Sequence, residues 1–79
     1  MDVVKYYSVS FPNGNKTFYY IGADDSIKIG DYVLVPFGAF DDITIGYVED
    51  IERFNPMHVP FPLEKMKSIL CTVTNPNGI

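Results

Sequence analysis

Two stretches near the start of the chain alternate polar and apolar residues with a period of two. Val4 to Phe11 is the first, Lys16 to Ile21 is the second, and Pro12-Asn13-Gly14-Asn15 lies between them. A period of two is the signature of a strand with one face buried. Asn-Gly supplies two residues that tolerate positive φ, as a two-residue type I′ turn requires. With Asn13 and Gly14 as the loop, Pro12 faces Asn15 and Phe11 faces Lys16. Ser10 then faces Thr17, Val9 faces Phe18, Ser8 faces Tyr19 and Tyr7 faces Tyr20. This register predicts a core face of Tyr7, Val9, Phe11, Phe18 and Tyr20. The opposite face carries Ser8, Ser10, Thr17 and Tyr19, with Tyr6 on the same side. A slip of one residue would drive the serines into the core, so the pattern itself selects the pairing.

Further strands follow. Gly22 to Ser26 reads as a loop, and Ile27-Lys28-Ile29 leads into a turn at Gly30-Asp31. Tyr32 to Pro36 is a third strand and Ile43 to Glu52 a fourth, joined by Phe37-Gly38-Ala39-Phe40-Asp41-Asp42. In the fourth strand the alternation sets Ile43, Ile45, Tyr47 and Ile51 on one side, with Glu49 as the exception among them. Gly46 inside it signals a bend, a bulge or a close backbone approach. Arg53 to Pro62 holds three prolines and is unfit for a central strand. Pro62 to Met66 fits one helical turn with proline at its permissive start. Lys67 to Thr74 is the last strand, and residues 75–79 read as a loose tail. Five short strands punctuated by Gly and Pro predict an all-β fold, a small five-stranded SH3-like or OB-like barrel with one short helical turn before the last strand.

Composition agrees with strands: eight Val, eight Ile, six Tyr and six Phe stand against two Ala and three Leu. At 79 residues the chain is expected to be one domain. One cysteine allows no internal disulfide, and a reducing, cytoplasmic setting is expected. No apolar run reaches the roughly 20 residues of a membrane helix, so no membrane partner is expected. The formal charge of −4 argues against a plain polyanion binder, whose mark is a basic face.

Chemistry-bearing residues are sparse. His58 and Cys71 are the only ones of their kind and lie on different elements, whereas a zinc site needs about four ligands. Cys71 reads as a small strand hydrophobe and His58 as a loop residue. The acids at Asp24-Asp25, Asp41-Asp42 and Glu49, Asp50 and Glu52 lack calcium-loop spacing and read as solvated turns. No phosphate-binding loop is present. Neither a catalytic constellation nor a cofactor motif emerges, and a non-enzyme is expected. What remains is aromatic. Tyr19, Phe37 and Phe40 are candidates for exposure, with Lys16, Lys28 and Lys67 as bases able to meet phosphates.

Four phrases carry a family resemblance. They are Thr17-Phe18-Tyr19-Tyr20, then Gly30-Asp31-Tyr32-Val33-Leu34-Val35-Pro36-Phe37-Gly38, then Ile45-Gly46-Tyr47-Val48, and last Pro62-Leu63-Glu64-Lys65-Met66-Lys67. In order and spacing they resemble the N-terminal 3′-DNA-binding domain of primosomal protein N′, the replication-restart helicase, over roughly Tyr6 to Val73. The block from Gly30 to Gly38 is the most specific. The resemblance implies a β-rich fold and a pocket for a terminal nucleotide built from Phe18, Tyr19, Gly38 and Lys67. Tyr19 stands where the family has Asp; a tyrosine stacks on a base but is no charged acceptor for a 3′-hydroxyl. In texture the chain also resembles small stand-alone proteins encoded by phages and mobile elements of Gram-positive bacteria.

Two functions are therefore expected to compete. The first is a non-catalytic module for single-stranded DNA or a DNA 3′ end, using Phe18, Tyr19, Gly38 and Lys67. The second is a protein-interaction module, an accessory or inhibitor, using exposed aromatics such as Phe37 and Phe40. The electrostatics around Gly38 and Lys67 separate them. A neutral or acidic surroundings there favours the second.

Overall fold

The computed structural model describes residues 3–12, 14, 16–22 and 25–74. The expected tail at 75–79, the acid Asp24 and the turn residues Asn13 and Asn15 lie outside them.

One antiparallel sheet of five strands organises the chain: β1 Val4–Ser10, β2 Thr17–Ile21, β3 Tyr32–Phe37, β4 Asp42–Phe54 and β5 Cys71–Val73. Their order across the sheet is β2-β1-β4-β3-β5. The first hairpin pairs Tyr7 with Tyr20, Ser8 with Tyr19, Val9 with Phe18 and Ser10 with Thr17, the register that alternation demands. Strand β4 is long enough to serve two neighbours. Its first half pairs with β3 and its second half with β1.

The alternation along β4 differs from expectation, for one reason. Ser8 pairs with Asp50 but Val9 pairs with Val48, so Glu49 is an extra residue opposite β1. A bulge of this kind reverses the facing of everything beyond it. Val48 is buried on the side opposite Ile43, Ile45 and Tyr47, as plain alternation sets it, and only beyond the bulge does Ile51 turn to the core side. The core itself is Tyr7, Val9, Tyr20, Val33, Val35 and Val48, closed by Ile27 and Ile69 from outside the strands. Gly46 is the close-approach glycine. A Cβ built there would come within 2.3 Å of Val9 Cγ1, so β1 packs directly on the β4 backbone.

The last strand is shorter than the pattern from Lys67 to Thr74 suggests. Residues 67–69 turn toward β2 instead. Ile21 N–H donates to Lys67 O at 3.0 Å, and Ile69 N–H donates to Ile21 O at 2.8 Å. Leu70 N–H then reaches Leu34 O at 2.9 Å and the chain joins β3 as β5. Cys71 is exposed on this strand, not packed as a core residue.

The outer face is the larger departure. Tyr6, expected on the polar side, is fully buried. After β4, two short 3-10 turns at Pro56–His58 and Leu63–Lys65 carry the proline-rich segment onward. The side chain of Asn55 caps the first by accepting from Met57 N–H at 2.8 Å, which is what the Asn-Pro pair does here. Phe61, beyond that turn, meets Tyr19 at a ring separation of 5.7 Å, and Tyr6 meets Tyr19 and Phe54 edge-on at 5.6 and 5.4 Å. The Tyr6 hydroxyl donates to Phe61 O at 2.5 Å. A second small aromatic cluster thus sits on the face opposite the main core. No helix among the described residues is long and apolar enough to cross a membrane.

Candidate functional site

Three of the four residues suggested by the primosomal resemblance come together at one end of the sheet. Phe18 on β2 and Phe37 at the end of β3 lie edge to face with ring centres 5.3 Å apart. Phe11 tilts against both, at 6.0 Å from Phe18 and 4.4 Å from Phe37. Gly38 follows Phe37 directly, and Lys67 Nζ donates to Gly38 O at 2.7 Å. Gly38 has φ of 82° with nothing within 4 Å of a built Cβ. The turn therefore needs glycine for its left-handed backbone and not to admit a neighbour.

Tyr19 does not join them. It lies on the opposite face of β2 from Phe18, within the outer aromatic cluster, and its hydroxyl donates to Glu52 Oε2 at 2.5 Å. That hydrogen bond to a carboxylate holds its phenol above the ordinary value of 10.0, and desolvation and the charge of Glu52 add to it. Tyr19 is thus committed to the fold's outer layer. Phe18, in turn, belongs to the core face by register but lies near its margin and stays 43% exposed.

The electrostatics at Lys67 are decided by Asp41. Its carboxylate lies 2.6 Å from Lys67 Nζ. Asp41 adopts φ of 54°, a left-handed conformation that Asp tolerates better than most residues, and this closes the turn with Asp41 N–H donating to Gly38 O at 3.2 Å. One ammonium therefore serves both a carbonyl and a carboxylate of the same turn. Asp42 follows immediately, a second acid beside the same turn.

A groove of about 360 Å³ opens beside this turn, lined by Phe11, Pro12, Lys16, Phe18, Phe37 and Thr44. A larger hollow of about 570 Å³ shares Phe11 and Pro12 but lies toward Tyr32, Tyr47 and Glu49. There the two tyrosines pack edge to face at 5.3 Å, and Glu49 accepts from Ser10 Oγ at 2.7 Å. The smaller groove is the one lined by the three phenylalanines, and Phe37 among them directly precedes Gly38. Phe40, at the turn itself, is 89% exposed. His58 is exposed on its 3-10 turn, and among the described residues no group of three or more His, Cys, Asp or Glu is placed to hold a metal ion.

Phe11 packs on the core, as the alternation predicts, and also forms one wall of the groove. Asp41 is a solvated turn acid that also pairs with Lys67. Nothing in the spacing of Asp41 and Lys67 signals their meeting. No family model, curated protein or solved structure matches the chain. The resemblance to the primosomal domain accordingly rests on its sequence phrases.

Proposed function

We propose that the chain is a non-catalytic protein-interaction module, an SH3-like or OB-like barrel in miniature, that grips an apolar side chain of its partner in the Phe11–Phe18–Phe37 groove. The observation that carries this reading is the pairing of Lys67 with Asp41 and the Gly38 carbonyl. A phosphate needs an available cation, and affinity for nucleic acid grows with the number of phosphates neutralised. Here the base named for that task already has an anion beside it, within a chain of charge −4. What the end does offer is aromatic surface, which is enriched where proteins meet proteins. The bridge between Ile21 and Ser68, which ties the end of β2 to the segment before β5, supports the barrel description.

A DNA 3′ end is the second reading. It is favoured by the convergence of Phe18, Gly38 and Lys67, and it requires a terminal phosphate or hydroxyl to displace Asp41 from Lys67.

An NMR titration with N-acetyl-phenylalanine amide tests the groove. Amide shifts concentrated at Phe11, Lys16, Phe18, Phe37 and Thr44, and lost in Phe18→Ala, are the expected result. Shifts scattered over the surface, or centred on Tyr32 and Tyr47, would remove the proposal.

A further inference from the structure

The turn that carries Phe40 rises from the two strands that line the aromatic groove. Phe37 ends β3, Thr44 lies in β4, and both form part of that groove. Residues 38–41 connect them. A single exposed ring is ordinary on a protein surface, but this one stands on a fixed support. Gly38 O accepts from Asp41 N–H at 3.2 Å and from Lys67 Nζ at 2.7 Å, and Lys67 holds Asp41 at 2.6 Å. A ring presented on an ordered turn loses little backbone freedom when it docks.

The groove matches that ring in size and character. It is an open groove of about 360 Å³, roomy enough for a phenyl ring, with Phe11, Phe18 and Phe37 among its walls. Aromatic rings attract one another in offset and edge-to-face contacts, so these walls suit a phenyl group.

The charges match as well. Lys16 stands on the groove. Asp42 sits opposite Phe37 in the β3–β4 ladder, at the foot of the Phe40 turn. In a two-fold contact each surface meets its own copy, so what residue i does to j, residue j does to i. Placing Phe40 of one copy in the groove of another brings the Asp42 end of each toward the Lys16 end of the other. Knob, groove, acid and base all lie at one end of the molecule, as a self-complementary patch requires.

We infer that the occupant of the groove is a second copy of this chain, held by reciprocal insertion of Phe40 and by Asp42–Lys16 pairing across the two-fold. The inference rests on the groove reading of the preceding subsection and names its partner.

Sedimentation velocity of the full chain over a wide concentration range tests it. The wild type is expected to move from the mass of one chain toward that of two. Phe40→Ala, which alters a solvent-exposed side chain and leaves the core alone, is expected to weaken association by about thirtyfold or more, as loss of an interface anchor does. Lys16→Glu should weaken it also, and Lys16→Glu with Asp42→Lys should restore it. A wild type that stays monomeric, or a dimer as strong in Phe40→Ala as in the wild type, would overturn the inference. The N-acetyl-phenylalanine amide titration, run on Phe40→Ala, separates the two levels. Groove shifts beside a monomeric wild type leave the groove reading standing and discard the second copy. Absence of groove shifts removes both.

Discussion

The ammonium of Lys67 lies 2.6 Å from the carboxylate of Asp41, a residue 26 positions earlier that holds a left-handed backbone conformation to reach it. The side chains are 41% and 63% exposed, so the pair is bathed in water and contributes little to stability. Its importance is local: it fixes the β3–β4 turn and cancels the charge nearest Gly38. Lys67→Ala is expected to lower stability by less than about 1 kcal/mol. Urea denaturation of the two chains, at low and high salt, measures this, and most of the difference should vanish at high salt.

Gly46 gives the sharpest packing prediction. A methyl group there would stand 2.3 Å from Val9 Cγ1 and 3.3 Å from Ser10 O. Neither the buried Val9 nor the paired β1 backbone has room to withdraw. Gly46→Ala is therefore expected to cost about 1–3 kcal/mol, the range for overpacked interiors. In a chain of this length that is a large share of the total, and thermal unfolding should show it as a clear drop in midpoint.

Tyr6 tests the outer aromatic cluster. Tyr6→Phe keeps the ring contacts with Tyr19 and Phe54 but removes the hydrogen bond to Phe61 O. A loss of about 0.5–1.5 kcal/mol is expected. Hydrogen exchange should locate the change at Phe61 and the adjoining proline-rich segment more than in β3. Equal loosening of the whole sheet would show that the cluster does not anchor this segment.

Two tyrosines set the alkaline limit. The hydrogen bond to Glu52 raises the Tyr19 phenol, and burial followed by the charge of Asp41 raises that of Tyr20. A phenol whose folded value lies above its unfolded value stabilises the fold fully at pH below the unfolded value near 10. That contribution fades as pH rises through the folded value. Stability should thus fall above about pH 10. An ultraviolet titration should show Tyr19 and Tyr20 ionising late, and Glu52→Gln should bring Tyr19 down while leaving Tyr20 in place.

Much of this architecture is legible in the sequence because period-two alternation and Asn-Gly are local signals. Val9 opposite Phe18 and Ser8 opposite Tyr19 follow from them directly. Beyond the first hairpin, the alternation of β4 misleads because Glu49 is an inserted residue, and a bulge has no side-chain signature beyond one misplaced polar group. Tyr6 misleads for another reason. Its burial depends on where the segment after Phe54 returns, and that path is set by tertiary contact with Phe61 rather than by any repeat. At the site, Phe18, Gly38 and Lys67 lie at one end of the sheet. The separation of Tyr19 from them follows from strand parity alone, since adjacent residues on β2 face opposite sides. The neutralisation of Lys67 had no local signal, because Asp41 reaches it across the fold.

We propose that this end of the sheet serves a protein surface rather than a phosphate. The most direct measurement is fluorescence anisotropy of a short single-stranded oligonucleotide with a free 3′ end, titrated with the chain at low salt. No binding in the micromolar range, and no difference between wild type and Lys67→Ala, is the expected result. Micromolar binding that falls steeply with salt, disappears when the 3′ end is blocked and is lost in Lys67→Ala would contradict it.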